Sequence, residues 1–164
     1  MNVLVLSRKN AEIALKVNQG EIAALISIAD AAPFTNEMPN EAERVPYVLR
    51  LIFDDTRLAN SEIYQSPSQN DVARIIYFAK FLKEKQVRGT LLVHCEAGVS
   101  RSAAAAIICL ATWFGPGREG EAVNKIYEVN PRSWPNWLMI DYADKQLQFN
   151  GALINYVMDN PEPK

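Results

Sequence analysis

The 164-residue sequence contains little of what several functional classes require. It has one histidine and two cysteines, Cys95 and Cys109, too few for a disulfide scaffold or a structural zinc site. Lysine and arginine number 17 against 19 aspartate and glutamate, so nucleic-acid or membrane-surface binding has no electrostatic support. No apolar run reaches the roughly 18 residues of a membrane span, and MNVLVLSRKN lacks the layout of a signal peptide. We therefore expect a cytoplasmic protein with reduced thiols that binds neither nucleic acid nor membranes.

Short apolar runs of strand character alternate along the chain with segments of helical periodicity. The predicted strands are MNVLVLS, ALISIA, YVLRLIFDD and TLLVH. The predicted helices are SRKNAEIALK, SQNDVARIIYFAKFLKEK, RSAAAAIICLATWF, GREGEAVNKIYEVN and NWLMIDYADKQLQF, and AAPFTNEMPNEAERVPY is expected to be a loop. This alternation predicts an α/β fold, with a mostly parallel central sheet of about four to five strands flanked by helices. We expect one domain over residues 1–158 and a flexible tail over residues 159–164.

One stretch, VHCEAGVSRS at residues 93–102, carries the chemistry. It connects a predicted strand to a predicted helix, where free backbone N–H groups and the helix dipole favour an anion. The residues between the cysteine and the arginine are enough for their backbone N–H groups to form a bowl that faces one anion. The glycine among them permits a positive φ or the close approach of a ligand. The arginine adds a planar fork of donors suited to phosphate. The spacing therefore predicts a phosphate-binding loop, or P-loop, formed by Glu96, Ala97, Gly98, Val99, Ser100 and Arg101.

Cys95 lies at the base of this loop. The amides, the helix dipole and the guanidinium all favour thiolate over thiol, and a thiolate beneath a bound phosphate is a nucleophile aimed at phosphorus. The hydroxyl of Ser102 can reach back to the sulfur and stabilise the thiolate when it leaves in a second step. His94 is expected to hydrogen-bond the loop and fix the position of Cys95, a structural role. Cys109 is expected to be a small core residue, with a resolving thiol as the alternative.

The stretch HCEAGVSRS resembles the signature loop of the cysteine-based protein tyrosine phosphatases, His-Cys-x5-Arg-Ser/Thr, and AGVSRSA is especially similar to their dual-specificity branch. ALISIAD resembles the second strand of that family, and EAVNKIYEVNPRSWPN resembles the segment after its signature helix, so the resemblance covers roughly residues 20 to 150. It implies a phosphotyrosine protein phosphatase-like fold. It also implies that Asn136, at the family's Pro-Asn position, stabilises the signature loop or its neighbours, although an asparagine there would cap a helix in any case.

The resemblance further implies metal-independent hydrolysis of a phosphomonoester through a phosphocysteine intermediate, with no cofactor. The expected ligands are a phosphorylated protein or peptide, carrying phosphotyrosine or also phosphoserine and phosphothreonine, and a phosphate or sulfate ion in the loop. No tyrosine-recognition loop is evident upstream, which favours a shallow pocket. The acidic Glu96 and the absence of lysine in the loop argue against a highly phosphorylated inositol substrate.

Such a reaction needs a general acid for the leaving oxygen, which then serves as the base for water. The candidates are Asp54 and Asp55 in LIFDDT, at the end of the third predicted strand and on the expected ligand-binding edge of the sheet. Asp55 is favoured because the family has a small or turn residue after its acid, as Thr56 is here. The distance of 40 residues to Cys95 exceeds that expected of small dual-specificity phosphatases, and the extra length in RLANSEIYQSPSQ suggests a substrate rim. Asp71 is a further candidate, but NDV predicts a helix start that would use it.

Three other functions remain compatible with parts of this pattern. The same loop could serve a phosphatase of nucleotides, RNA ends or small metabolites. A binding module that captures phosphorylated partners without hydrolysis would need to have lost the nucleophile, the arginine or the acid, and all three are present here. A rhodanese-like sulfur transferase would not need Asp55, and the positions of Gly98 and Ser102 do not favour it.

Overall fold

The computed structural model describes residues 1–18, 20–32 and 38–161, with the backbone alone at residues 40 and 41. The strands of this part of the chain are β1 (Asn2–Ser7), β2 (Ile22–Ala29), β3 (Tyr47–Ile52) and β4 (Thr90–Cys95). Its α-helices are α1 (Arg8–Val17), α2 (Gln69–Glu84), α3 (Arg101–Phe114), α4 (Glu119–Val129), α5 (Trp137–Leu147) and α6 (Ala152–Asp159). A short 3₁₀ helix covers Asn40–Arg44.

The four strands form one parallel sheet in the order β1-β4-β2-β3. The connection through α1 carries the chain from β1 past β4 to β2, and the connection through α2 brings it back from β3 to β4. Because crossovers between parallel strands are right-handed, two connections that run in opposite directions place their helices on opposite faces of the sheet. Strand β4 is thus an inner strand at the point where the direction of winding reverses, where ligands bind in sheets of this kind.

Alternate residues of the strands supply two separate cores, as the period of two in a strand requires. One face of the sheet packs Leu25 and Leu92 against Ala11 and Leu15 of α1. The opposite face is larger and includes Ile26, together with the helices α2 to α6. Helix α3 is buried along almost its whole length, and its run of alanines lets it lie close to the sheet.

The predicted α/β fold is confirmed: the strands and the five predicted helices are found at the expected places. Two elements differ. The segment expected to be a loop contains the 3₁₀ helix Asn40–Arg44, whereas residues 33–37 of it lie outside the described residues. Helix α6 was not predicted. It ends at Asp159, residues 162–164 lie outside the described part, and a flexible tail remains a prediction.

None of the described helices has the length and hydropathy that would let it cross a membrane.

Candidate active site

The carboxyl ends of the parallel strands bring the predicted site residues to one edge of the sheet. In the register of the sheet Ser7 stands beside Cys95, at the ends of β1 and β4. Strand β2 ends immediately before Asp30, and β3 ends shortly before Asp54 and Asp55. Residues that are far apart in the sequence therefore meet around the loop that follows β4.

The sulfur of Cys95 lies at the base of that loop and is almost completely buried. The Oγ of Ser102 is 3.1 Å from Sγ, and the backbone N–H of Gly98 donates to Sγ over 3.3 Å. Both contacts can stabilise negative charge on sulfur. The structure thus brings together the predicted nucleophile and the hydroxyl expected to support it.

The carbonyl groups of the loop are held by hydrogen bonds from outside it. Those of Glu96, Gly98 and Val99 accept from Arg8 N at 3.2 Å, Asn130 Nδ2 at 2.7 Å and Trp134 N at 3.0 Å, respectively. In a trans peptide the C=O and the following N–H point in opposite directions. Carbonyls that are bound on the outside therefore turn the following amides toward the interior of the loop, as an anion-binding bowl requires.

Gly98 is required at its position for two reasons. Its φ is +73°, in the region that favours glycine. A Cβ at this residue would lie 2.8 Å from the carbonyl oxygen of Leu6 and closer still to the backbone nitrogen of Ser7. The end of β1 therefore packs directly on the loop, and the loop can be this close only without a side chain at residue 98.

Arg101 is the first residue of α3, and only 3% of it is exposed. Its Nη1 donates to the carbonyl oxygen of Phe53 over 2.7 Å, and its Nη2 lies 2.6 Å from Oδ1 of Asp30. Its Nε is buried and has no hydrogen-bond partner among the described residues. The guanidinium is thus fixed on two sides, with one donor that a phosphate oxygen in the loop would satisfy.

The two neighbouring aspartates of LIFDDT have different surroundings. Asp54 accepts from the backbone N–H groups of Ala31 and Gln65, each over 2.9 Å, and so joins three segments. Asp55 is exposed, and its Oδ1 accepts from Ser100 Oγ at 2.8 Å and Asn136 Nδ2 at 2.9 Å. The side chain next to the signature loop is therefore Asp55, whereas Asp54 binds backbone.

The further candidate acid is occupied elsewhere. Asp71 and Ser68 form a reciprocal cap at the start of α2, in which the Ser68 side chain binds the Asp71 backbone and Asp71 Oδ2 accepts from Ser68 N over 3.0 Å. The structure does not bring Asp71 to the loop. The helix start predicted from the sequence is confirmed.

Asn136 connects the loop after β4 to the segment of the candidate acid, Asp55. Its Nδ2 donates to Asp55 Oδ1 and to the carbonyl oxygen of Thr56, while its backbone N–H donates to Ser100 O over 3.3 Å. Its Oδ1 accepts from Met139 N, so the residue also caps α5. Both expectations for Asn136, contact with the loop and helix capping, agree with these contacts.

His94 is buried in the inner strand β4, between Leu6 of β1 and Ser27 of β2. Neither ring nitrogen of His94 has a hydrogen-bond partner among the described residues, so the hydrogen bond that we expected from His94 to the loop is not found. Burial lowers the pKa of His94 to about 4. A neutral, buried imidazole next to the cysteine is consistent with a structural role.

Cys109 is buried in the core on α3, where burial raises the pKa of its thiol, and this suits a core residue.

The long segment after Asp55 folds back on itself beside the site. Two hydrogen bonds join its ends. The backbone N–H of Asp54 donates to the carbonyl oxygen of Gln65 over 2.8 Å, and the backbone N–H of Gln65 donates to Oδ2 of Asp54. Within it, Ser61 Oγ accepts from the N–H groups of Ile63 and Tyr64. Leu58, Ile63 and Tyr64 are exposed. Arg57 of this segment lines a cavity beside the loop, and the substrate rim suggested by the extra sequence length stays a prediction.

Asp30 and Asn130 are among the residues that touch the site and that sequence reasoning missed. Asp30 directly follows the buried run ALISIA, and polar residues at the carboxyl ends of parallel strands often face a ligand. Asn130 ends α4 and binds the loop at Gly98 O. The first could have been found from its place after a strand. The second had no local signal, since an asparagine after a helix has many uses.

No protein-family model matches the sequence, and no curated protein matches it. Solved structures are similar. Human DUSP28 is 15% identical, with a TM-score of 0.62 over 92% of this chain and 94% of its own. PTPMT1 in complex with PI(5)P is 19% identical, with a TM-score of 0.60 over 92% and 95%. The Yvh1 phosphatase domain from Chaetomium thermophilum is 23% identical, with a TM-score of 0.56 over 92% of both chains. These similarities confirm the predicted phosphotyrosine protein phosphatase-like fold.

Proposed function

We propose that this protein is a metal-independent phosphatase of the cysteine-dependent tyrosine phosphatase superfamily, acting on phosphorylated protein. The observation that carries the proposal is the constellation around the loop after β4. Cys95 Sγ contacts Ser102 and the Gly98 amide, Arg101 is fixed beside it, and Asp55 touches the same loop through Ser100. These contacts support the assignment of Cys95 as nucleophile, of the loop amides and Arg101 as oxyanion donors, and of Asp55 as acid.

In the first step the Cys95 thiolate attacks phosphorus, and the bond from phosphorus to the leaving oxygen breaks. The inward amides and Arg101 bind the equatorial oxygens, where charge is distributed in the transition state. Asp55 gives its proton to the leaving oxygen. Both hydrogen bonds of Asp55 go to Oδ1, and among the described residues Oδ2 has no partner, so we assign the transferred proton to Oδ2.

In the second step water attacks the phosphocysteine, and Asp55, now a carboxylate, removes a proton from the water. The P–S bond breaks, and Cys95 departs as thiolate. The Ser102 hydroxyl, 3.1 Å from sulfur, donates to the thiolate as its charge returns. The products are inorganic phosphate and free enzyme, so the chemistry requires neither a cofactor nor a metal.

The phosphorylated partner is better matched by protein than by an inositol lipid. Glu96, the first residue after the nucleophile, is ion-paired with Arg8 at 3.3 Å and keeps 36% of its side chain exposed. A carboxylate at the loop disfavours a ligand with additional phosphates, and Arg8 offsets only part of that charge. A cytoplasmic location remains part of this proposal.

Hydrolysis of p-nitrophenyl phosphate in the presence of a chelator tests the function. We expect wild type to remain active, Cys95→Ser to be inactive, and Asp55→Asn to lose about 100-fold or more in kcat. Asp54→Asn is the matched control, because it alters the neighbouring carboxylate and keeps an acceptor for one backbone amide. Loss of activity on chelation, or equal losses in Asp54→Asn and Asp55→Asn, would contradict the proposal.

A further inference from the structure

A cavity of about 440 Å³ opens beside the signature loop, on the side of the acid. Its lining residues are Asp55, Thr56, Arg57, Val99, Ser100 and Trp134. It thus combines the residue proposed to protonate the leaving oxygen with an aromatic side chain and a cation. A substrate whose leaving oxygen is protonated by Asp55 would contact these residues.

Hydrogen bonds of its own backbone and of the neighbouring Asn136 hold Trp134 at this cavity. Its backbone N–H donates to Val99 O, and the following Asn136 binds both Ser100 and Thr56. The residues on either side, Ser133 and Pro135, are buried, whereas Trp134 keeps 41% of its surface exposed. An indole that is held by its backbone and left open to solvent suits stacking on a planar ring.

Arg57 provides the cation at the same cavity. It is exposed, and the structure records neither a hydrogen bond nor an ion pair for it with any described residue. It follows Asp55 by two residues and lines the same cavity, so its charge is available to a group that a substrate places there. An exposed, uncommitted guanidinium in that place favours a carboxylate next to the phosphorylated side chain.

We propose that Trp134 and Arg57 determine specificity, selecting phosphotyrosine followed or preceded by an acidic residue over phosphoserine and phosphothreonine. Trp134 stacks on the phenyl ring, and Arg57 pairs with the neighbouring carboxylate. The inference rests on the proposed phosphatase site. It concerns binding, however, and can therefore be tested without turnover.

The experiment measures peptide affinity in the Cys95→Ser background, by fluorescence anisotropy. The probes are a phosphotyrosine peptide with flanking glutamates, the same peptide with glutamines, and a phosphoserine peptide with glutamates. Trp134→Ala and Arg57→Ala are added singly. Trp137→Ala is the control for an exposed tryptophan, 39% exposed and outside the cavity lining, and Arg88→Ala is the control for an exposed arginine.

We expect the phosphotyrosine peptide to bind about tenfold tighter than the phosphoserine peptide, and Trp134→Ala to remove that preference. Arg57→Ala should remove a several-fold preference for glutamate over glutamine, on the order of what one exposed ion pair provides. Both control variants should keep both preferences. Equal affinity for the phosphotyrosine and phosphoserine peptides, the same loss in Trp137→Ala as in Trp134→Ala, or no binding of any phosphopeptide would overturn the inference. Selective binding by Cys95→Ser with an inactive wild type would support it while refuting the proposed catalysis.

Discussion

Asp30 and Arg101 form a close ion pair at the edge of the sheet, with Oδ1 2.6 Å from Nη2. They are 71 positions apart and come from the end of β2 and the first turn of α3. Because Arg101 is nearly buried, its orientation is set by this carboxylate and by the carbonyl of Phe53 rather than by solvent. Asp30 is therefore a positioning residue for the guanidinium that we assign to phosphate binding.

Replacing Asp30 by alanine should disturb Arg101 without touching the nucleophile. We expect Asp30→Ala to lower kcat for p-nitrophenyl phosphate by about tenfold, because the transition state depends on an oriented guanidinium. Asp30→Asn keeps an oxygen acceptor and should lose less. Steady-state kinetics, with orthovanadate inhibition as a second readout, check this. Full kcat in Asp30→Ala would show that the pair does not position Arg101.

Gly98→Ala should damage the loop far more than positive φ alone explains. Gly117 also has positive φ, at +83°, but a Cβ there would meet nothing within 4 Å. We expect Gly117→Ala to cost about 1 kcal/mol of stability and to leave phosphate binding intact. Gly98→Ala should abolish phosphate binding, because β1 leaves no room for the new carbon. Thermal unfolding with and without phosphate compares the two variants, and equal behaviour would argue against the close packing.

Asn136 should act on catalysis by holding Asp55. Asn136→Asp keeps the acceptor that caps α5 but replaces the donor to Asp55 by a second carboxylate. We expect it to lower kcat by about tenfold or more, with a larger effect on substrates whose leaving group is poor and needs the acid. Thermal stability should also fall, because the new buried carboxylate faces Asp55 Oδ1 and the Thr56 carbonyl with no donor between them, so kcat is compared at a temperature where both proteins are folded. A variant with unchanged kcat for poor leaving groups would separate Asn136 from the acid.

The buried His94 predicts a stability that falls on acidification. Its pKa is lowered from 6.5 to about 4 in the folded protein, so between these values the unfolded chain binds a proton that the folded chain does not. Stability from this residue is complete above pH 6.5, declines as the pH falls, and is lost by about pH 4, a total of about 3 kcal/mol. Urea unfolding across this range should show a shallower decline in His94→Gln. An identical decline in both proteins would rule out His94 as the source.

The sequence predicted the candidate site best where its residues are consecutive in the chain. The loop from Cys95 to Ser102 joins a strand to a helix, so its chemistry follows from spacing and local geometry, and the contact of Ser102 with sulfur was expected. The pattern of apolar residues also predicted the parallel sheet and five helices. Asp55 could be preferred to Asp54 from the sequence only by analogy, and their different hydrogen-bond partners now give that preference a physical basis.

What the sequence did not reveal depends on contacts between distant segments. Helix α6 has no local capping side chain, because its first N–H groups bind the buried carboxylate of Asp144 on α5. The ion pair of Asp30 and the bond from Asn130 to the loop likewise join parts of the chain that only the folded sheet brings together. Periodicity and capping rules describe neighbours in sequence, and such partners lie beyond them.

The most direct test of the central claim is to identify the phosphorylated residue during turnover. Ser102→Ala should slow the release of the thiolate, so the intermediate accumulates when the enzyme is mixed with p-nitrophenyl phosphate and quenched in acid. Peptide mass spectrometry should then find one phosphoryl group on Cys95, together with a burst of p-nitrophenol. A phosphoryl group on any other residue, or steady turnover by the Cys95→Ser variant, would contradict the account.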